Sequence, residues 1–216
     1  MKLHILSDLH RDLAGDFAVP ATDADLVILA GDIDGGLESL RWATRAFDVP
    51  TILVLGNHET APGNTPRLTA FRQQAEGTKV RVLENAVYRQ NGIRFLGCTL
   101  WAPTNRGMRA GLKRSIKWLD RTLSEPHDGA TVVITHYPPL HRSLPPNVLV
   151  DAALADRLSV DLHALIEASD IALWVHGHIH KRQDYIHGDT RIICNPHGYA
   201  DRVEPAFDPG LVIQIA

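Results

Sequence analysis

Five short groups of Asp, Asn and His residues carry most of the side chains in this sequence that can bind metal or move protons. Each group directly follows an apolar run that is typical of a buried strand. In chain order the groups are Asp8-x-His10, Gly31-Asp32, Gly56-Asn57-His58-Glu59, His136 and Gly177-His178-x-His180. The sequence has 12 histidines, and imidazole is both a common metal ligand and an acid or base near neutral pH. These positions predict one shared metal site.

The mixture of imidazole and carboxylate indicates which ions such a site takes. These ligands suit Mn, Fe, Zn, Ni or Co, whereas oxygen ligands would dominate a Ca or Mg site. No cysteine belongs to the set, which argues against a structural zinc site. Seven candidate ligands are too many for one tetrahedral ion, but they suit two ions that share a ligand. On extended backbone, Asp8 and His10 would point to one side, and so would His178 and His180.

Taken singly, most of these residues also have a structural interpretation. Asp8 and Asp32 could cap helices, a common use of Asp after a strand. Asn57 follows a glycine and could be a turn residue, and His136 could start the loop that follows it. The pair His178 and His180 has no good packing reason. It is the whole ordered set, and not any one member, that favours a metal site.

The elements that must position these residues are the apolar runs before them. The runs are Lys2–Leu6, Leu26–Ala30, 51–55, Thr131–Thr135 and 171–175. In layered α/β proteins, ligands bind where the carboxyl ends of the strands meet. The polar groups are therefore expected at one edge of the fold.

The rest of the chain alternates helical patterns with short strands. Helical spacing covers 37–47, 67–76, 108–123 and 154–168, while 7–16 and 136–153 are expected to be loops. Further strands are expected at 80–83, 86–89, 93–97, 183–187, 191–194 and 211–215. Asn91-Gly92 and Gly188-Asp189 are hairpin turns by composition. This order predicts an α/β protein in which two mixed β-sheets pack as a sandwich flanked by helices.

Composition sets the broad class of the protein. A chain of 216 residues, 44% hydrophobic and 22% charged, is most simply one globular domain spanning 1–216. A net charge of −3 argues against a general binder of nucleic acid or membrane surfaces. The two cysteines, Cys98 and Cys194, each follow a strand-like run, and buried free thiols are typical of a cytoplasmic protein. No leader pattern or long apolar run is visible, and the sequence does not indicate an oligomeric state.

The five groups, in this order from Asp8 to His180, resemble the calcineurin-like metallophosphoesterase superfamily, in particular its small bacterial-type phosphoesterase branch. The resemblance implies the four-layer αββα fold of that family and two divalent transition-metal ions, with Mn, Fe, Zn and Ni as candidates. It implies that one ion is bound by Asp8, His10, Asp32 and His180, and the other by Asp32, Asn57, His136 and His178. Asp32 would then bridge the two ions.

The resemblance also implies a mechanism. A hydroxide that bridges the metals would attack phosphorus, and Asp32 and His58 are the expected catalytic residues, with His58 assisting the leaving group. Substrate contacts are expected from Arg11, Arg106 and His197, and stacking from Trp101, Tyr137 or Tyr199.

One departure from the family narrows the substrate. The protein phosphatases of the superfamily resemble Gly-Asp-x-x-Asp-Arg-Gly at the second group, but here the run is Gly31-Asp32-Ile33-Asp34-Gly35-Gly36. The phosphate-holding Arg is missing, which disfavours a protein phosphatase, and the chain is short and weakly basic for a nuclease. A small soluble phosphate ester is expected, with a phosphodiester favoured over a monoester. The alternative of another class is a protein-binding scaffold on the same fold.

Overall fold

The computed structural model describes all 216 residues and contains two large β-sheets. The strands of the first sheet are β1 (Lys2–Leu6), β2 (Leu26–Ala30), β3 (Thr51–Val54), β4 (Val80–Leu83) and the C-terminal β13 (Val212–Gln214). Their spatial order is β13-β1-β2-β3-β4. Strands β1 to β4 are mutually parallel, and β13 pairs antiparallel with β1 at the edge.

The second sheet has six strands in the order β5-β6-β7-β8-β10-β9. Their bounds are β5 (Ala86–Gln90), β6 (Ile93–Cys98), β7 (Thr131–Thr135), β8 (Leu173–His176), β9 (Gln183–His187) and β10 (Thr190–Cys194). The four central strands are parallel, and β5 and β9 form antiparallel edges. A small hairpin joins β11 (Gly198–Tyr199) to β12 (Arg202–Val203).

Helices cover the outer faces of both sheets. The helices of the chain are α1 (Arg11–Ala14), α2 (Glu38–Ala46), α3 (Thr65–Ala75), α4 (Arg106–Leu123), α5 (Pro146–Leu149), α6 (Ala152–Leu158) and α7 (His163–Glu167), with a short 3₁₀ turn at His141–Ser143. Buried residues of α2 and α3 pack on the first sheet, and those of α4 and α7 pack on the second. The largest core lies between the two sheets. The structure is thus the αββα sandwich predicted from the sequence.

The alternation of side chains along β2 shows how one strand serves two cores. Ile28 and Ala30 face the core between the sheets, while Val27 and Leu29 face the core under α2 and α3. Because successive strand residues point to opposite faces, a strand covered on both sides must be apolar throughout. This requirement explains the uninterrupted apolar run that ends at Asp32.

The structure corrects the helix predicted at 154–168, which is two separate helices. Between α6 and α7 the chain turns toward the proline loop after β7, where Val160 N donates to Pro138 O and Leu162 N to Pro139 O. These bonds to another segment replace helical ones and interrupt the helix. The segments expected to be loops at 7–16 and 136–153 also contain the short helices α1 and α5. No helix combines the length and the hydropathy that a membrane span requires.

Candidate metal centre

The seven predicted ligands converge where the two sheets meet. Residues after β1, β2 and β3 come from the first sheet, and residues after β7 and β8 come from the second. Three groups have ligand atoms within 4.8 Å of one another: Asp8 with His10 and His180, His10 with Asp32 and His58, and Asp32 with His136 and His178. Asn57 Oδ1 lies 3.1 Å from His136 Nε2. The strand order alone therefore assembles the whole set.

Backbone strain is concentrated at this site. Eight non-glycine residues have a positive φ, and five of them are predicted ligands: Asp8, His10, Asp32, His178 and His180. This left-handed region is costly for residues with a side chain and persists where other contacts enforce it. The sequence interpretation of extended Asp-x-His and His-x-His segments is therefore wrong, although the side chains do converge.

Hydrogen bonds between neighbouring loops enforce the left-handed turns. Asp8 N donates to Gly31 O and His10 N to Asp32 O, each over 3.0 Å. Asp8 in turn accepts His178 N on both carboxylate oxygens, at 2.9 and 3.1 Å. These bonds link the loops after β1, β2 and β8, so the ligand positions of one loop depend on the others.

The first cluster consists of Asp8, His10 and His180. The two Nε2 atoms of the histidines are 2.8 Å apart, and His180 Nε2 lies 3.6 Å from Asp8 Oδ1. Burial lowers the pKa of His10 to about 4, so the neutral imidazole with a free lone pair is favoured. Its Nδ1 is buried without a hydrogen-bond partner.

The second cluster is centred on Asp32 and His136. His136 Nε2 is 3.2 Å from Asp32 Oδ2, and its Nδ1 donates to Ala30 O over 3.0 Å, which fixes the ring. Burial acts to lower the pKa of His136, but the charge and hydrogen bond of Asp32 raise it to about 9. Burial also lowers the pKa of His178 to about 3, with the charge on His136 adding to the effect. The negative charge of Asp32 therefore strongly favours a positive charge beside it.

Glu59 holds the loop that presents Asp32. Its buried carboxylate accepts the N–H groups of Ile33 at 2.7 Å, Gly56 at 2.7 Å and Asp32 at 2.9 Å. Burial, and secondly the charge on Asp32, raises the pKa of Glu59 to about 8. Glu59 thus fixes the loops after β2 and β3 against each other.

Two glycines permit the close packing around Asp32. Gly31 has a φ of +87°, and a Cβ there would overlap the ring of His136. At Gly56, a Cβ would overlap the Asp32 carboxylate. Only glycine leaves room for the ligand side chains at these points.

His58 lies at the edge of the centre with a different set of contacts. Its backbone N–H donates to Asp32 Oδ1 over 2.9 Å, and its ring is 4.5 Å from the ring of His10. Its Nδ1 is 3.6 Å from Asp12 Oδ2, on α1. Asp12 is therefore a close charged neighbour of Nδ1, although 3.6 Å is longer than a hydrogen bond.

The donor set fits divalent transition metals. Buried imidazole nitrogens and carboxylate oxygens converge from both clusters, and burial keeps two of the histidines neutral. The Nε2 atoms of His10 and His180 meet beside Asp8, and imidazole with carboxylate is the combination of donors that binds such cations. Asp32 belongs to two of the three ligand groups and faces both clusters.

None of the three predicted substrate residues belongs to the three ligand groups. Arg11 donates to Asp34 at 2.6 Å and to Asp16 at 2.8 Å, and its guanidinium lies over the ring of Trp42. Arg106 is exposed at the start of α4. His197 packs between Phe17 and Phe207, with Nδ1 against Gly198 O.

Of the three aromatic residues expected to stack on the substrate, Tyr137 and Tyr199 contact histidines of the centre. Trp101 and Tyr137 are buried against each other, and the Tyr137 ring lies 4.0 Å from that of His178. Tyr199 is partly exposed, with ring distances of 4.4 Å to His10 and 4.6 Å to His180. Tyr199, expected to stack on the substrate, thus lies against two proposed ligands. Asp12 is a neighbour of His58 that the sequence did not indicate, since only the fold brings it there.

Comparison with known proteins gives a family and a fold. The family model described as calcineurin-like phosphoesterase matches residues 1–182. No curated protein matches the chain.

Several solved structures share the fold. Phosphopantetheinyl hydrolase from Mycobacterium tuberculosis has a TM-score of 0.70 at 18% identity, over 93% of this chain and 90% of that one. A dimetal phosphatase from Danio rerio has a TM-score of 0.53 at 14% identity, over 89% and 86%. GAP50, the anchor in the inner membrane complex of Plasmodium, has a TM-score of 0.57 at 15% identity, over 92% and 72%. At these identities the likeness concerns the fold alone.

Proposed function

Since the chain belongs to the calcineurin-like phosphoesterase family and is a metal-dependent phosphoric ester hydrolase, we propose that it cleaves a small phosphodiester at a dinuclear centre. One ion would be held by Asp8, His10, Asp32 and His180, and the other by Asp32, Asn57, His136 and His178. The observation that carries this proposal is the convergence of these side chains from both sheets. Mn, Fe, Zn and Ni are the candidate ions.

The metal ions, when bound, neutralise charge on the phosphoryl oxygens and lower the pKa of a water. The chain itself supplies the geometry. Asp32 is held by Glu59 and by His58 N–H, so its two carboxylate oxygens have fixed directions. The bond from His136 to Ala30 O likewise orients that imidazole toward Asp32.

His58 is the proposed general acid for the leaving group. In the imidazolium form both ring nitrogens carry a proton, so Nδ1–H can face Asp12 while Nε2–H passes its proton to the oxygen that departs from phosphorus. Its ring contacts His10, so it is positioned at the edge of the centre without being a proposed ligand.

The lining of the site supports a diester over a monoester. The cavity beside the centre is lined by Asp32, Asn57, His178, His180 and Tyr199 together with apolar residues, and by no Lys or Arg. A phosphomonoester carries nearly two negative charges at neutral pH because its second pKa is near 6. A diester carries one, so it needs less positive charge from the protein.

The test measures metal content and the hydrolysis of an aryl phosphate monoester and a bis-aryl diester. Protein stripped with a chelator is reconstituted with Mn, Zn or Ni before each assay. We expect about two ions per chain and faster cleavage of the diester. Cleavage of neither substrate with any metal, together with a stable protein complex, would instead support the scaffold alternative.

The bridging role of Asp32 has its own test. Asp32→Asn is expected to reduce binding of both ions, whereas Asp8→Asn is expected to reduce binding of one. Metal content measured after equilibration at matched free metal separates the two results. Loss of a single ion in Asp32→Asn would show that the bridge is assigned to the wrong residue.

A further inference from the structure

The cavity beside the metal centre has two chemically different walls. It has a volume of about 260 Å³. One wall consists of the proposed ligands Asp32, Asn57, His178 and His180, and Tyr199 is also part of the lining. The remaining lining, here called the apolar wall, is formed by Leu144, Pro145, Val148, Leu158 and Ile179. A phosphate held by the ligands would therefore have apolar side chains directly beside it.

The apolar wall lies outside the main clusters of the protein core, and Leu144 is its one fully buried member. The residues Leu144, Val148, Leu158 and Ile179 are absent from all four buried apolar clusters of the molecule. Val148, Leu158 and Ile179 are only half-buried. These three side chains therefore keep part of their apolar surface outside the buried clusters, where they line the cavity.

Exposed apolar residues extend this wall outward. Leu149 is 43% exposed and Val150 is 87% exposed at the end of α5, beside Val148. Single exposed apolar residues are ordinary, but these two directly follow Val148, which lines the cavity, and a continuous apolar surface is typical of a site that binds an apolar ligand.

From these observations we propose that the ester carries an apolar arm, an alkyl or acyl chain of several methylenes, bound against Val148 and Leu158. This inference rests on the proposed phosphodiesterase function and specifies its substrate as an amphiphilic phosphodiester. A nucleoside in the same place would leave its polar groups without partners, because this wall offers only aliphatic side chains.

The position of His58 assigns the arm to one side of phosphorus. His58, the proposed acid for the leaving group, does not line the cavity. The arm is therefore on the ester oxygen that stays on phosphorus. Water adds its oxygen to phosphorus, the bond to the other ester oxygen breaks, and that oxygen leaves as an alcohol with the proton from His58. The products are an alcohol and the monoester of the apolar arm.

The experiment uses p-nitrophenyl diesters that share one leaving group and differ in the other substituent: methyl, butyl and octyl. With metal-reconstituted protein we expect kcat/KM to rise by about threefold per added methylene until the arm outgrows the cavity. The ratio of kcat/KM for the octyl diester to kcat/KM for the methyl diester should fall at least tenfold in Val148→Ser. The same fall is expected in Leu158→Ser, which replaces the first variant if that variant does not fold. Ile186→Ser removes an exposed apolar residue outside the cavity lining and should leave the ratio unchanged.

A binding measurement keeps the inference separate from the activity. Octylphosphonate should bind the metal-loaded protein at least tenfold more tightly than methylphosphonate in calorimetry, and with a negative heat-capacity change. Equal rates and equal affinities across the series would overturn the apolar arm and leave the phosphodiesterase proposal intact. Absence of all diester hydrolysis would overturn the phosphodiesterase proposal, and the phosphonate pair would still decide whether the wall binds an alkyl chain.

Discussion

At the scale of single residues, the metal centre contains two kinds of side chain. The candidate ligands can bind metal, and His58 can transfer a proton. The candidate ligands are mostly buried and tied to one another, whereas His58 is partly exposed and contacts Asp12. Residue types and order were enough to predict the set, because Asp, Asn and His directly after apolar runs have few competing explanations when taken together. The three substrate contacts were predicted from their places in the sequence alone, and the structure puts none of them in the cavity lining.

His58→Ala should separate catalysis from metal binding. We expect kcat for a diester with a poor leaving group to fall by roughly 10²–10⁴-fold, because the departing oxygen loses its proton donor. Metal content should stay at the wild-type value. His163→Ala is the matched control, since His163 is an exposed histidine on α7 paired with Asp161. Loss of an ion in His58→Ala would show that His58 is a ligand, as its place in one of the three ligand groups allows.

Glu84 provides a pH test away from the centre. Its Oε2 lies 2.8 Å from both Thr99 N and Thr99 Oγ1, and that hydroxyl is also 2.8 Å from Leu55 O. Burial raises the pKa of Glu84 above its ordinary value of 4.5. A proton on Glu84 lets it donate to Thr99 Oγ1, while the hydroxyl donates to Leu55 O.

Because the folded state binds this proton more tightly than the unfolded state, Glu84 should reduce stability as pH rises from 4.5 through its folded pKa. Glu84→Gln removes this loss and should be at least as stable as wild type at pH 7. The measurement is urea unfolding of both proteins between pH 4.5 and 8, where all other titrations cancel in the difference. A difference in unfolding free energy that does not change with pH would contradict the raised pKa.

At the scale of elements, the strands were predictable and the turns after them were not. The predicted bounds of β1, β2, β4, β7 and β9 agree with the structure, because apolar runs between polar residues define buried strands. The left-handed turns at Asp8 and His178 were not predicted, since they depend on hydrogen bonds between loops far apart in sequence. The break between α6 and α7 has the same origin: the bonds from 160 and 162 to the proline loop outweigh helical spacing.

Gly56→Ala tests how tightly the loop after β3 packs on Asp32. The new Cβ would overlap the Asp32 carboxylate, so the loop must move. We expect a loss of about 1–3 kcal/mol in unfolding free energy and weaker metal binding, measured by urea unfolding and metal titration. Gly107→Ala is the control, because its Cβ would meet only ordinary contacts of 3.4 and 3.6 Å at the start of α4. Equal metal affinity in both variants would show that the loop position does not determine the site.

At the scale of the whole molecule, charge is distributed unevenly. The net charge is −3, yet α4 exposes a series of basic side chains, namely Arg106, Arg109, Lys113, Arg114, Lys117 and Arg121. The cavity beside the metal centre has no Lys or Arg in its lining. Polyanionic ligands are therefore disfavoured at this cavity, whereas α4 offers them basic side chains.

The position of the centre makes a prediction about the stability of the entire chain. Its ligands come from both sheets, and residues of both sheets form the common core between them. Metal binding should therefore stabilise the sandwich as one unit, which also tests the single domain proposed for 1–216. A metal ion at 100 times the dissociation constant of its site adds about 2.7 kcal/mol to the free energy of unfolding, which corresponds to a rise in Tm of roughly 5–10 °C for a chain of this size.

Calorimetry with chelator and then with Mn or Zn measures this rise, and we expect a single transition in both cases. Asp32→Asn should show a much smaller rise, since its bridging carboxylate is gone. Two transitions, of which metal shifts only one, would mean that the sheets unfold separately and that the chain is not one domain.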